Sequence, residues 1–277
     1  MQKQILTVLI FFLLRVFTID SVAQSNAAIT PAWATQSLLA EINKKDYLEQ
    51  INVTLLTKYV QQGANVNTAN DIGITPLHCA AANDAVELAT LLLEKGADVN
   101  IRNKAGTSPL HLAAWNSSAK VLPTLIKHGA DVNIENADKN TPLHYAAYRN
   151  AAPLIKLLLS YGATINAVNK EQETPLYYAL QQYDMALIEL LLSHNSLVNT
   201  KNQYGYTPLH LAVKHNNLPA VQLLLNQGAD INTRDDEGNT PLHWAGEHDS
   251  SRELLNLLLD KGARLQEQNN AGQQPYT

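Results

Sequence analysis

Proline stands at Pro76, Pro109, Pro142, Pro175, Pro208 and Pro241, each 33 residues after the last, and again at Pro275 after 34. A fixed period of this length means that each unit is one supersecondary block stacked on copies of itself, and it overrides any residue-by-residue assignment of helices and strands. The text around the prolines repeats as well: Thr75 to His78, Ser108 to His111, Thr141 to His144, Thr174 to Tyr177, Thr207 to His210 and Thr240 to His243. A second motif keeps the same phase, reading Gly63 to Asn67, Gly96 to Asn100, Gly129 to Asn133, Gly162 to Asn166, Asn195 to Asn199, Gly228 to Asn232 and Gly262 to Gln266.

Each repeated residue has a physical reason for its place. Thr or Ser before Pro predicts a helix start, the hydroxyl accepting from an unpaired amide and Pro supplying a preset φ at the first helical position. Alanine pairs such as Ala80/Ala81 and Ala113/Ala114 let a short inner helix approach its neighbours. A second helix carries a leucine ridge, as at Leu91 to Leu93, and the glycine three residues later ends it in a left-handed cap. Asn195 takes that place in one unit, asparagine tolerating the left-handed region best among the alternatives.

These motifs resemble those of the ankyrin-repeat proteins. The resemblance implies an all-α solenoid of stacked helix-turn-helix units with β-turn or hairpin fingers, and it runs from about Ser37 to Thr277. The expected organisation is a signal peptide over 1–23, read from its own composition, a short linker over 24–36 and a repeat domain over 37–277. Within that domain an N-terminal cap spans 37–69, six full repeats span 70–268 and a truncated repeat spans 269–277. In such proteins the motif histidine bonds the capping Thr and nearby backbone. That role is expected for His78, His111, His144, His210 and His243.

Departures from the pattern mark expected irregularities. Pro123 falls inside a second helix and should bend it or delay its start. Lys139 and Gln172 replace the finger glycine, so those turns should differ in conformation or carry strain. One extra residue falls near His248 to Ser251, and the chain stops before a seventh helix, which predicts a frayed carboxyl end.

The amino terminus has its own composition. Lys3 precedes the apolar run Ile5 to Leu14, and Ser21, Val22 and Ala23 read as a cleavage site, with Gln24 as the first mature residue. The run is too short to cross a bilayer, and extending it to Ile19 would bury Arg15. An exported protein, periplasmic or secreted, is expected, with no stable membrane span after signal removal; an uncleaved anchor is the alternative.

Charge and chemistry exclude several classes. With Lys+Arg 20 against Asp+Glu 25, and no basic cluster, the chain does not suit a nucleic-acid backbone. The single Cys79 rules out an intramolecular disulfide framework and multi-cysteine zinc motifs, and is expected to be a buried small hydrophobe. No histidine spacing suggests a metal site, no nucleophile elbow or phosphate loop stands out, and no cofactor is expected. Asp235 to Glu237 reads as a solvated loop tip, and Asn52 and Asn116 begin glycosylation-type triplets.

A surface remains. The repeat phase places Trp115, Asn116, Tyr148, Arg149, Gln181, Lys214 and His215 at inner-helix ends, and Tyr204 and Tyr206 at finger tips, beside Ile72, Ile74 and Asn239. Tyr145, Tyr178 and Trp244 fall at the buried phase. Trp, Tyr and Arg dominate binding hot spots, which makes these positions the candidate protein-binding site, centred on Trp115, Tyr148 and Arg149. The expected function is a non-enzymatic scaffold, monomeric on its own, that binds a protein partner on its concave face. A host-directed effector, or a toxin or inhibitor component, is the alternative, and self-association through the repeats is a third.

Overall fold

A computed structural model describes residues 30–43, 51–247 and 251–275. Among them are fourteen helices and no β-strand. The chain opens with α1 (Pro31–Ile42) and α2 (Val53–Gln61). Inner and outer helices then alternate: α3 (Pro76–Ala82) and α4 (Val86–Glu94), α5 (Pro109–Trp115) and α6 (Leu122–Lys127), α7 (Pro142–Tyr148) and α8 (Ala152–Ser160). The pattern continues with α9 (Pro175–Gln181) and α10 (Met185–Ser193), α11 (Pro208–Lys214) and α12 (Leu218–Asn226), α13 (Pro241–Glu247) and α14 (Arg252–Asp260). Each inner helix packs on the next and on its own outer helix, so the core is one continuous seam running the length of the stack.

The inner helices start where the Thr/Ser–Pro pairs predict. At Ser108 the hydroxyl accepts from the His111 amide while the Ser108 amide donates to His111 Nδ1 at 3.1 Å, a reciprocal cap. The paired alanines 80/81, 113/114 and 146/147 are fully buried, as close helix approach requires. The outer helices end as expected: the Gly96 amide donates to Leu93 O and the Ala97 amide to Leu92 O, with Gly96 at φ 85°. Asn195 adopts the same left-handed geometry at φ 64°.

Between units, the fingers join edge to edge. Asn70 Oδ1 accepts the amides of Ile72 and Ile74, folding the turn, and the Lys104 amide of the next finger donates to Ile72 O at 3.0 Å. The same bond recurs from Ala137 to Ala105, Lys170 to Asp138, Gln203 to Glu171, Asp236 to Tyr204 and Asn270 to Glu237. A second ladder runs below. Asn100 Nδ2 donates to Gly129 O and its Oδ1 accepts the Asp131 amide, and Asn67, Asn133, Asn166, Asn199 and Asn232 do the same in their units.

Several expectations are corrected. The first helix begins at Pro31, inside the segment expected to be linker, because Thr30 caps it by accepting from the Trp33 amide at 3.2 Å. Lys139 and Gln172 keep the finger conformation of the glycines, at φ 59° and 61°; they carry the strain and not a different turn. At Gly106 an added Cβ would lie 2.5 Å from the Ala137 amide nitrogen, so there the next finger crowds out any side chain.

Pro123 delays the outer helix. α6 has six residues where its counterparts have nine, and the Asp84 carboxylate caps the late start by accepting from the Lys120 and Val121 amides. The carboxyl end is not frayed as far as Pro275. The seventh finger docks through Asn270, His243 Nε2 lies 3.1 Å from Gln273 O, and Pro275 is buried against Gly246, where a Cβ would clash with the Pro275 carbonyl. The signal segment 1–23 and the extra residue near 248–250 lie outside the described residues.

Candidate protein-binding face

The inner helices and fingers together make the face that is concave in such stacks. Its floor is set by the motif histidines. His78 Nδ1 accepts the Thr75 amide, which fixes the proton on Nε2, and Nε2 donates to Thr107 O of the next unit at 3.0 Å. His111, His144, His210 and His243 repeat this arrangement toward Asn140, Glu173, Asn239 and Gln273. Both ring nitrogens are therefore engaged, leaving no lone pair for a metal. Burial holds the imidazoles of His78, His111, His144 and His210 down at about 4 despite those carbonyl bonds. Among the described residues no group of His, Cys, Asp or Glu converges as a metal site. Burial pushes the Cys79 thiol up to about 12, which keeps it protonated and unreactive.

On this floor the aromatic residues form two clusters. In the first, the Trp115 and Tyr148 rings stack with centroids 5.4 Å apart and planes 10° apart. Tyr145 meets Trp115 edge-on at 5.6 Å, Tyr178 meets Tyr148 edge-on at 5.9 Å, and Arg149 lays its guanidinium 5.2 Å from the Trp115 ring centre. These four rings, with His144 and Asn140, line an open pocket of about 160 Å³. In the second cluster Tyr206 packs on Tyr204 and on Trp244, Lys214 Nζ sits 5.5 Å from the Trp244 ring, and Trp244 Nε1 donates to Asp235 at 2.9 Å.

The structure sorts the sequence candidates accordingly. Trp115, Tyr148 and Arg149 come together; Tyr204, Tyr206 and Lys214 come together three units on. Gln181 is exposed at the end of α9, outside either cluster. Asn116 faces inward, its Nδ2 donating to Ala82 O at 3.0 Å, so its amide ties two units together. His215 Nδ1 lies 2.6 Å from the hydroxyl of Tyr183, an exposed ring that the sequence reading did not select. Of the finger positions, Ile74 and Asn239 are buried while Ile72 is exposed, because the turn sends residues on its two sides in opposite directions.

Tyr145 and Tyr178 are corrected too. They are half-buried and wall the pocket, whereas Trp244 is buried as its phase implies. Asn136 Nδ2 donates to the Tyr145 hydroxyl and Asn169 Nδ2 to that of Tyr178, both at 2.9 Å, which holds the phenol ends toward the fingers. The available signal was residue type: tyrosine in a slot that takes leucine in other units must bring its hydroxyl to a polar partner.

Comparison with known proteins agrees with this architecture. A family model described as "Ankyrin repeats (3 copies)" matches residues 47–136, 125–202 and 181–269. The chain belongs to the ankyrin-repeat proteins. Among solved structures it is similar to the ankyrin repeat domain of Bcl-3, described as a unique member of the IkappaB protein family. The TM-score is 0.67 at 28% identity, covering 80% of this chain and 97% of that one. No curated protein sequence matches the chain significantly. Ankyrin repeats are protein-interaction scaffolds.

Proposed function

We propose that this protein is a non-enzymatic scaffold, acting outside the cytoplasm, that holds a protein partner on its concave face at Trp115, Tyr148 and Arg149. The observation that carries the proposal is the stacked Trp115/Tyr148 pair with Arg149 over it, set against a small pocket on a rigid helical floor. Large aromatic rings fixed by their neighbours lose little entropy on binding, and hot spots concentrate on such residues. The export component rests on the amino-terminal sequence, with its short apolar run and small residues before Gln24.

The test is affinity capture from extracts of the source cells, comparing the wild-type chain with a Trp115→Ala/Tyr148→Ala/Arg149→Ala variant verified as folded by circular dichroism. Loss of a specifically retained protein in the variant supports the concave-face site; equal retention by both chains refutes it. Cell fractionation with mass analysis of the mature amino terminus tests export, the expected result being an extracytoplasmic chain that begins at Gln24.

A further inference from the structure

The pocket beside Trp115 has an electrostatic character that narrows what enters it. Its walls are the π faces and edges of Trp115, Tyr145, Tyr148 and Tyr178, and its floor is the neutral ring of His144 with the Asn140 amide. A π face is negative at its centre, so a ring that presents its face to the pocket favours a cation over an anion. On the finger side lies Glu173: His144 Nε2 bonds the Glu173 carbonyl, and the Glu173 amide donates to the same Asn169 side chain that bonds the Tyr178 hydroxyl.

Glu171 and Glu173 lie outside the pocket lining, and the Glu173 carboxylate is favoured by hydrogen bonds from Asn169 and Asn202 but by no salt bridge. Neither Glu171 nor Glu173 has an ion-pair partner among the described residues, whereas nearby Asp138 is paired with Lys170 at 3.6 Å. Burial raises the Glu173 carboxyl above its ordinary range and the charge of Glu171 raises it further, against hydrogen bonds from Asn169 and Asn202 that lower it. The Tyr178 phenol is pushed up to about 12, first by burial and then by the charges of Glu173 and Glu171. Two negative groups thus act directly on a ring of the pocket, and a cation placed there would relieve the cost of holding Glu173 half-buried beside Glu171. The chain's own Arg149 over Trp115 shows that a guanidinium is accommodated on these rings.

We infer that the Trp115/Tyr145/Tyr148/Tyr178 pocket receives a cationic side chain, arginine or lysine, from an extended basic segment of the protein partner, with Glu173 and Glu171 as its counter-charges. This rests on the concave-face reading and specifies the partner's chemistry.

The experiment uses the purified full chain and two capped pentapeptides, Gly-Gly-Arg-Gly-Gly and the same sequence with neutral citrulline in place of arginine. The indole N–H signal of Trp115 is followed by NMR, with Trp33 and Trp244 as internal references. The arginine peptide is expected to shift Trp115 saturably. The citrulline peptide, and the arginine peptide against a Glu171→Gln/Glu173→Gln variant, should bind at least about fivefold more weakly, as loss of a desolvated cation–π and charge contact implies. Raising the salt should weaken the arginine peptide and leave the citrulline peptide unchanged.

Equal affinity for the two peptides, or no movement of Trp115 up to roughly 10 mM arginine peptide, overturns the inference. If that happens while the triple aromatic variant still loses its captured partner, the concave-face site stands and only the cation assignment falls. If the triple variant captures as well as wild type, the site itself is wrong, whatever the peptides do.

Discussion

The hydroxyl of Thr174 has no hydrogen-bond partner, because the residue three positions on is Tyr177 and not histidine. Tyr177 reaches over to donate to the carbonyls of Tyr206 and Thr200, so the bond to the next unit survives while the reciprocal cap is lost. Replacing an orphan hydroxyl by a methyl of the same shape costs little or gains. Thr174→Val should therefore be neutral or stabilising by up to about 1 kcal/mol, whereas Thr141→Val, which removes the hydroxyl that bonds His144 Nδ1, should cost about 1–2 kcal/mol. Urea unfolding of the two variants checks the contrast, and a larger loss at Thr174 would contradict it.

Acid should unfold the stack from within. His78, His111, His144 and His210 have folded values near 4, below the free value of 6.5, so the unfolded chain binds more protons between those limits. Their contribution is complete above pH 6.5 and is lost as the pH falls toward 4, amounting to about 2 kcal/mol per histidine by pH 5. Denaturation midpoints measured from pH 7 to 4.5 should drop steeply, and His111→Gln should lower that slope by roughly a quarter. A flat profile would show that these rings accept protons while folded.

Leu158 on α8 is fully buried in the middle of the seam. Leu158→Ala should cost about 2–5 kcal/mol, the range for a large-to-small change where neighbours cannot close in. A loss below about 1 kcal/mol, read by chemical denaturation, would mean that the stack relaxes around the gap.

Lys139 and Gln172 hold left-handed turns that cost a side chain about 1–2 kcal/mol, part of which glycine gives back through its freer unfolded state. Lys139→Gly and Gln172→Gly should each stabilise the protein by up to about 1 kcal/mol. Thermal melts of the single and double variants should show additive gains, the two turns being on separate fingers.

Much of this architecture was legible because the repeat converts position into environment. Thr–Pro starts, glycine ends, the Asn195 cap and the Pro123 delay each follow from the local chemistry of one residue type. What escaped depended on side-chain reach. Tyr145 and Tyr178 share a phase with Cys79 and Trp244, which are buried, yet they are only half-buried, with their hydroxyls held by Asn136 and Asn169. The left-handed turn between inner and outer helices falls on Asp84, Ser117, Asn150, Tyr183 and Asn216, a set too varied in type to announce a shared conformation. Of the candidate site, the placement of Trp115, Tyr148 and Arg149 at inner-helix ends could be read from phase; the ring geometry that joins them could not.

The asparagine ladder has a mechanical consequence. Asn100, Asn133, Asn166, Asn199 and Asn232 each bind the following unit at both ends of one side-chain amide, while the finger amides and motif residues 78, 111, 144, 177 and 210 cross the same junctions. A load applied along the stack axis is thus divided among parallel tethers at each of these five junctions and carried in series from one junction to the next. Such a chain of links behaves as a spring: it stretches by small equal increments, and under a steady pull it gives way one unit at a time.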